Sequence, residues 1–140
     1  METKTAFVPQ LIIPKGVTDI GFYARAFNAV ELWCLKNDDG SVHVAAFAVD
    51  GALFHLHEQM RPGAFSPGTH NGTTVTLGLM VDDVRAVVSK ALEAGAAITS
   101  PVQDYDYGYR QCEFTDPFGH QWLIEKILDP DILTKGNYGK

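Results

Sequence analysis

The segment at residues 107–126 reads YGYRQCEFTDPFGHQWLIEK and predicts a β-hairpin around which the rest of the chain can be arranged. Aromatic and β-branched residues, which favour strands, flank a central turn at residues 116–119 (DPFG). In that turn Asp starts the reversal, Pro presets φ and Gly tolerates a positive φ. A loop of these four residues places Thr115 directly opposite His120.

This register predicts which side chains share a face of the hairpin, because directly opposed residues lie on the same side. One face is predicted to carry a mixed polar and apolar set: Arg110, Cys112, Phe114, Gln121, Leu123 and Glu125. The other face is predicted to carry Gln111, Glu113, His120, Trp122 and Ile124. Arg110 lies across from Glu125 in this register.

The composition is that of an ordinary globular protein. The chain has 140 residues, of which 46% are hydrophobic and 20% are charged, and its formal net charge is −6. This length fits one domain over residues 1–140. The negative charge, with no basic run, disfavours binding to nucleic acids or to anionic membranes. No apolar run is long enough to cross a bilayer.

Two features bear on where the protein works. The N-terminal residues lack a basic segment followed by an apolar one, so no signal peptide is expected. The two cysteines, Cys34 and Cys112, are too few for a disulfide scaffold. We therefore expect a cytoplasmic protein in which both cysteines are buried as small apolar side chains.

The order strand–helix–strand–strand–strand occurs twice along the chain. The first module is predicted at residues 7–58 and the second at residues 73–127. Residues 59–72 between them are rich in Gly and Pro and are typical of a linker, and a tail follows at residues 128–140. A repeat of this kind implies two similar units packed against each other.

The helix of each module is marked by apolar residues at helical spacing. In module one this stripe consists of Ile20, Tyr23, Ala24 and Phe27. In module two, Asp82 or Asp83 can cap a helix. Its apolar stripe is Val84, Val87, Val88, Ala91 and Leu92.

The hairpin of module one is predicted around Asp50 and Gly51, a strong two-residue turn signal. This turn places Phe47 opposite Phe54, and these bulky side chains are expected to face the module's helix. The opposite face is predicted to carry small residues and two histidines: Val44, Ala46, Ala48, Leu53, His55 and His57. Such a face can form half of a cup, with the second module supplying the other half.

Together these features resemble the glyoxalase/bleomycin-resistance/dioxygenase superfamily, also called vicinal oxygen chelate, and within it the small PhnB-like and antibiotic-resistance-like members. The resemblance rests on residues 20–29 (IGFYARAFNA), 81–84 (VDDV) and 116–122 (DPFGHQW), and it extends over about residues 7–127. It implies an α+β fold in which paired βαβββ modules form an open, eight-stranded, cup-shaped sheet with helices outside. It also implies a homodimer.

The resemblance implies where a metal ion would bind in metal-dependent members, which place a ligand on the first and last strands of each module. By position these ligands are Val8 or Gln10, His55, Thr76 and Leu123. Val and Leu cannot bind a metal ion, and one histidine is far short of the three or four ligands required. We therefore expect no catalytic metal and no other cofactor.

The first functional hypothesis is a protein that binds a small, partly apolar or aromatic molecule in the cup. Polar side chains in a mostly apolar hollow are typical of small-molecule sites, and tyrosines can stack on a planar ligand. The predicted ligand-binding residues are Val44, Ala46, Leu53, His55, His57, Tyr107, Tyr109, Arg110, Cys112, Phe114, Gln121, Leu123 and Glu125. The structural alternative is that Arg110 and Glu125 form an ion pair and the tyrosines cap the core.

The second hypothesis is an enzyme, namely a lyase, isomerase or dioxygenase that uses a divalent ion, or a metal-free acid–base catalyst. His55 or His57 would then act as the base, with Glu125 as its partner, because histidine titrates near neutral pH. The same three residues are the remaining candidates for binding a divalent ion. An ion pair with Arg110 would argue against this role, because it holds Glu125 as a passive carboxylate.

Overall fold

The computed structural model describes residues 1–133 and shows the predicted repeat of strands and helices. Module one contains β1 (Gln10–Ile13), α1 (Phe22–Phe27), β2 (Val30–Lys36), β3 (Val42–Val49) and β4 (Ala52–Glu58), and a short α2 (Pro67–His70) lies in the linker. Module two contains β5 (Thr76–Met80), α3 (Val84–Glu93), β6 (Ala97–Tyr105), β7 (Tyr109–Thr115) and β8 (Gln121–Ile127). A 3₁₀ turn at Pro130–Leu133 lies in the tail, whose remainder is outside the described residues.

The strands form two four-stranded mixed sheets with the same internal order. Sheet one has the order β1-β4-β3-β2 and sheet two the order β5-β8-β7-β6. In each sheet the first and last strands of the module pair in parallel, and the other pairs are antiparallel. The predicted α+β class and the paired βαβββ modules are confirmed. The eight strands are divided between two sheets, and neither sheet is closed.

The hairpin of module one has the predicted register. Phe47 lies opposite Phe54, and their rings stack at 5.4 Å between centroids. The turn residues Asp50 and Gly51 both adopt positive φ, at 46° and 83°, as a two-residue hairpin loop with the right-handed twist of a sheet requires.

The hairpin of module two differs from the predicted register by one residue. Asp116 pairs with His120, because the Asp116 backbone N–H donates to the His120 carbonyl (2.9 Å). The loop therefore has three residues, 117–119, and the Gly119 N–H donates to the Asp116 carbonyl. Gly119 has a φ of 91°, which fits a type I turn followed by a left-handed residue.

Because the register differs by one residue, side chains of β7 that were predicted to share a face with Gln121, Leu123 and Glu125 of β8 lie on the opposite face. Gln121, Leu123 and Glu125 lie opposite Thr115, Glu113 and Gln111, respectively, and share a face with them. Phe114 and Cys112 lie opposite Trp122 and Ile124, respectively. Those last four side chains are all buried, with Phe114 and Ile124 at 0% exposure.

Both modules bury their helix-covered faces in one shared hydrophobic core. The rings of Tyr23 and Phe27 on α1 contact the Trp122 ring of module two at 6.0 and 4.7 Å between centroids. Helix α1 also packs against α3. Asp83 precedes α3, and its side chain accepts a hydrogen bond from the Ala86 N–H (3.0 Å) and so caps the helix.

A buried carboxylate links the two modules at the tip of the second hairpin. Asp116 is 4% exposed, and its Oδ2 accepts hydrogen bonds from the Tyr23 hydroxyl (2.6 Å) and from Trp122 Nε1 (2.9 Å). Its Oδ1 accepts from the backbone N–H groups of Phe118 (2.8 Å) and His120 (3.1 Å). Burial, and then the Asp116 carboxylate, raise the pKa of Tyr23 well above its usual value.

Candidate functional site

The face of sheet one that points away from the core contains the residues predicted for it. The pairs Val44–His57, Ala46–His55 and Ala48–Leu53 lie side by side on β3 and β4. Strand β2 adds three residues that sequence reasoning missed, because Val30 pairs with Ala48, Trp33 with Ala46 and Leu35 with Val44. We call this surface the module-one open face: Val30, Trp33, Leu35, Val44, Ala46, Ala48, Leu53, His55 and His57.

Large apolar side chains on the module-one open face are exposed to solvent. Trp33 is 44% exposed, Leu35 56% and Leu53 39%. Ala46 is 1% exposed and lies between Trp33 and His55, whose ring centroids are 5.5 Å apart. Contiguous exposed apolar surface is typical of a binding surface.

Two histidines of this face have one ring nitrogen already engaged. His55 Nδ1 accepts from the side-chain amide of Gln10 (3.0 Å), so its Nε2 carries the proton in the neutral ring. His57 Nδ1 lies 2.7 Å from the Glu58 backbone carbonyl, which only accepts, so His57 Nδ1 donates. The free Nε2 of neutral His57 is therefore an acceptor, and the two histidines present opposite hydrogen-bonding groups.

Sheet two has a corresponding face, which we call the module-two open face. Of the residues predicted for it, Gln121, Leu123 and Glu125 are present. Their neighbours on β5 are Thr76, Gly78 and Met80. The register assigns this face the following members: Thr76, Gly78, Met80, Ala97, Ser100, Gln103, Tyr105, Tyr109, Gln111, Glu113, Thr115, Gln121, Leu123, Glu125 and Ile127.

Three predicted site residues lie on the opposite, helix-covered side of sheet two, because the hairpin loop is one residue shorter than predicted. Cys112 and Phe114 are buried in the shared core, and burial raises the pKa of the Cys112 thiol. Arg110 lies opposite Lys126 and forms a two-pronged ion pair with Asp104 (2.7 and 3.1 Å). The predicted Arg110–Glu125 pairing is therefore wrong.

The tyrosines near the β6–β7 turn differ in exposure. Tyr107 is 49% exposed, whereas Tyr109 is 9% exposed. The rings of Tyr105 and Tyr107 stack at 5.2 Å between centroids. Tyr107 can therefore contact a ligand over the module-two open face, while Tyr109 is mostly covered.

A chain of hydrogen bonds crosses the module-two open face. The Tyr107 hydroxyl donates to Gln111 Oε1, and Gln111 Nε2 donates to Glu125 Oε1 (2.8 Å). Sequence reasoning placed Gln111 on the other face, so it missed this chain. The DPFG motif could not have revealed it, because the motif fits both a four-residue and a three-residue loop.

The residues at the ligand positions of metal-dependent relatives do not fit a divalent ion. Gln10 and His55 are hydrogen-bonded to each other, and His55 Nε2 carries its proton in the neutral ring. Leu123 lies opposite Gly78, and neither side chain has a donor atom. Within residues 1–133, no three His, Cys, Asp or Glu side chains are grouped so that they could hold a metal ion.

The residues named for the enzyme hypothesis are not joined to one another. In the described chain, Glu125 bonds Gln111, whereas His57 bonds the Glu58 carbonyl and His55 bonds Gln10. A carboxylate that orients an imidazole is instead found beside this group. Glu58, 6% exposed, accepts from His43 Nδ1 (3.0 Å) and Asn37 Nδ2 (3.0 Å).

Three clefts of a single chain lie mostly away from the two open faces. A cleft of ≈ 510 Å³ separates the edge strands β1 and β5 under the linker. A second cleft of ≈ 850 Å³ lies between the ends of α1 and α3, and a third of ≈ 490 Å³ borders α2. Among the predicted ligand-binding residues, only Gln121 lines one of these three clefts.

Helices in the described part of the chain are too short or too polar to cross a membrane.

Comparison with known proteins identifies relatives. The chain is 36% identical over 128 residues to the uncharacterized protein Mb0911c of Mycobacterium bovis, covering 89% of this chain and 84% of that protein. It is 29% identical over 113 residues to the uncharacterized protein At5g48480 of Arabidopsis thaliana, covering 75% and 68%.

Solved structures share the fold. The At5g48480 gene product superposes with a TM-score of 0.67 at 27% identity, covering 87% of this chain and 98% of that chain. The fosfomycin resistance protein FosX of Listeria monocytogenes superposes with a TM-score of 0.65 at 16% identity, covering 89% and 94%, which shows the fold alone. The family model described as Glyoxalase/Bleomycin resistance protein/Dioxygenase superfamily matches residues 19–124, so the chain belongs to that superfamily.

Proposed function

We propose that this protein binds a small, partly apolar or aromatic molecule over its open sheet faces and needs no catalytic metal to do so. The observation that carries this proposal is the module-one open face, where Trp33, Leu35 and Leu53 are between 39% and 56% exposed. Ala46 lies between Trp33 and His55, and Ala48 lies between Val30 and Leu53. An exposed apolar surface of this kind suits a flat apolar ligand.

The apolar side chains of this face are not needed for the core of the chain. The core lies on the other side of sheet one, where Phe47 and Leu56 are 1% and 0% exposed. Exposing large apolar side chains costs free energy in water, at roughly 25 cal/mol per Å². A ligand or a partner that covers the face recovers that free energy.

The proposed cup requires two copies of the chain. Because the helix-covered faces of both sheets share one core, the two open faces look away from it. A homodimer can place the module-one open face of one subunit opposite the module-two open face of the other. Such pairing also covers exposed strand edges, which proteins otherwise have to protect. The assignment to a PhnB-like or antibiotic-resistance-like subgroup and the cytoplasmic location stay predictions.

The donor set argues for binding without a metal. The positions at which metal-dependent relatives bind an ion carry an amide, one engaged imidazole, a hydroxyl and an alkyl side chain. These groups cannot replace the three or four nitrogen, oxygen or sulfur ligands of a catalytic site. The metal-dependent lyase, isomerase or dioxygenase hypothesis therefore has no supporting arrangement within residues 1–133.

The experiment is a fluorescence titration with N-phenyl-1-naphthylamine, a neutral aromatic probe. We expect saturable binding, with quenching of Trp33, which is 44% exposed, whereas Trp122 at 5% is shielded. Ala48→Leu should weaken binding about ten-fold or more, because the larger side chain would project from the surface that the ligand covers. The matched control is Ala24→Leu, which adds the same atoms to an exposed position on α1.

Chelation and mass measurements complete the test. Probe binding should be the same in EDTA as in its absence, and the protein should elute as a dimer in size-exclusion chromatography with light scattering. Probe binding that requires a stoichiometric divalent metal would contradict the proposal. Equal binding by the Ala48→Leu and Ala24→Leu variants would also contradict it.

A further inference from the structure

Within residues 1–133, one oxygen of the Glu125 carboxylate accepts a hydrogen bond and the other does not. Its Oε1 accepts from Gln111 Nε2 at 2.8 Å, and Gln111 is itself held by the Tyr107 hydroxyl. No hydrogen bond or ion pair within residues 1–133 uses Oε2. The hydrogen bonds from Tyr107 to Gln111 and from Gln111 to Glu125 therefore fix the orientation of the carboxylate. Oε2 is left available as an acceptor.

The free oxygen points over a position that has no side chain. Glu125 pairs with Met80 on β5, and Gly78 is the next residue of β5 on the same face. A Cβ built on Gly78 would lie 3.5 Å from Glu125 Oε2, in ordinary van der Waals contact. The absence of that Cβ leaves a small cradle beside the oxygen, and Gly78 does not have the positive φ that requires glycine.

The surroundings of the cradle are acidic. Among the members of the module-two open face, the charged residues are Glu113 and Glu125. The basic residues of the same strands, Arg110 and Lys126, lie on the other side and pair with Asp104 and Asp82. The electrostatic potential over this face is therefore negative, so it attracts cations and repels anions.

Apolar and aromatic groups adjoin the carboxylate. Leu123 precedes it on the same face, and Met80 opposite it is 56% exposed. The exposed ring of Tyr107 stacks on the ring of Tyr105 and lies beside Gln111, where it presents a flat aromatic surface. An aromatic surface next to an oriented carboxylate matches a molecule with a planar body and a cationic end.

We propose that Glu125, held by Gln111 over Gly78, binds the protonated amine of a planar aromatic ligand, with Tyr107 stacking on the aromatic body. This inference rests on the proposed function, because it names the chemical class of the molecule that the open faces bind. Glu125 is then a specificity-determining residue. The ammonium group donates to Oε2 in the cradle, and a neutral or anionic ligand lacks that charge-assisted hydrogen bond.

The test uses three probes of one shape and different charge: 1-naphthylmethylamine, 1-naphthalenemethanol and 1-naphthoate. Each competes with N-phenyl-1-naphthylamine for the full-length protein. We expect the amine to bind about ten-fold tighter than the alcohol, since a hydrogen bond to a charged group exceeds a neutral one by about that factor. The carboxylate should bind more weakly than both.

Two variants test whether the preference for the amine depends on Glu125 and Gly78. Glu125→Gln keeps the acceptor for Gln111 and should remove the preference for the amine over the alcohol. Gly78→Ala fills the cradle and should weaken binding of the amine about ten-fold. The matched control is Gly68→Ala on α2, where a Cβ meets no atom within 4 Å, and amine binding should be unchanged.

The outcomes separate the two proposals. If N-phenyl-1-naphthylamine binds but the three competitors bind equally, or if Glu125→Gln retains the preference for the amine, the inference is overturned and the proposed function stands. If no naphthalene compound binds, both are overturned. A preference that disappears in Glu125→Gln, with unchanged thermal stability, supports the assignment.

Discussion

The two inner hairpins hold equivalent places in the repeat but differ in what their turns do. The turn of module one, Asp50 and Gly51, is exposed and only reverses the chain. The turn of module two begins at Asp116, which is buried and receives four hydrogen bonds, one of them from Tyr23 of module one. Equivalent positions in a repeat can therefore carry very different shares of the stability, because one of them lies at the junction between modules.

The open faces of the two modules differ in the same way. The module-one open face presents Trp33 and Leu35 as exposed apolar groups. The module-two open face presents a hydrogen-bonded chain that ends at Glu125. A ligand that contacts both faces therefore needs an apolar body and a polar end, and this difference is what the following predictions test.

The largest expected effect is a difference in the free energy of unfolding between substitutions in the two turns. Asp116→Asn should lower the free energy of unfolding by about 3 kcal/mol, because an amide NH₂ would face buried donors that now bond a carboxylate oxygen. Asp50→Asn should change it by less than about 0.5 kcal/mol, because Asn tolerates the positive φ of that exposed position. Urea unfolding at neutral pH measures both. Equal losses in the two variants would contradict the difference between the turns.

A smaller loss is expected for the hydroxyl that joins the modules. Tyr23→Phe should cost about 1.5 kcal/mol, because it removes one buried hydrogen bond to Asp116 without leaving a large cavity. The raised pKa of Tyr23 means that its protonated form stabilises the fold. This contribution is fully present below pH 10 and is lost as pH rises through the higher folded-state pKa. Above pH 10, wild-type stability should therefore fall more steeply than that of Tyr23→Phe.

An effect of about 1 kcal/mol is expected at the ends of the last strands. Glu58→Gln weakens the bonds to His43 and Asn37. The hydrogen bond from His43, more than that from Asn37, holds the pKa of Glu58 below its usual 4.5. Its contribution is present above pH 4.5 and is lost as pH falls through the lower folded-state pKa.

The matched control for this acid dependence is Lys126→Met, which removes an exposed ion pair with Asp82 at the equivalent end of module two. It should change the free energy of unfolding by less than about 0.5 kcal/mol. Unfolding at pH 7 and at pH 3.5 compares the variants with the wild type. A gap between Glu58→Gln and the wild type that does not narrow in acid would show that the carboxylate is not the stabilising group.

The smallest effect on stability is expected on the module-one open face. Leu35→Ser should change the free energy of unfolding by less than about 0.5 kcal/mol, because Leu35 is 56% exposed and lies outside the core. The same variant should weaken binding of N-phenyl-1-naphthylamine several-fold, because it removes apolar contact area. Chemical unfolding and fluorescence titration of one preparation test both statements. A loss of several kcal/mol would place this face in the structural core instead.

Much of the fold was predictable because its signals are local. The Asp50-Gly51 turn sets the register of the first hairpin by itself, so the grouping of Val44, Ala46 and His55 on one face was confirmed. The helix stripes were right in their buried members Tyr23 and Phe27. They failed at Ala24 and Leu92, which are exposed because neighbours along the chain face the core in their place.

The second hairpin shows why the candidate site was only partly predictable. DPFG is compatible with a four-residue loop and with a three-residue loop that begins after Asp116, and the two differ by one residue in register. The buried bonds from Tyr23 and Trp122 to Asp116 accompany the shorter loop, and one of them comes from the other module. A contact 93 residues away in the chain cannot be read from a local turn motif.

By itself, the sequence determined the superfamily, the two βαβββ modules and the apolar open face of module one, because strand alternation, turn residues and helical stripes act over short stretches of chain. The tertiary structure alone decided that Cys112 and Phe114 are core residues and that Gln111 orients Glu125 over Gly78. The physical reason is that a shift of one residue in strand pairing exchanges the two faces, and the observed register is accompanied by a hydrogen bond from Tyr23, 93 residues away, to the buried Asp116 carboxylate.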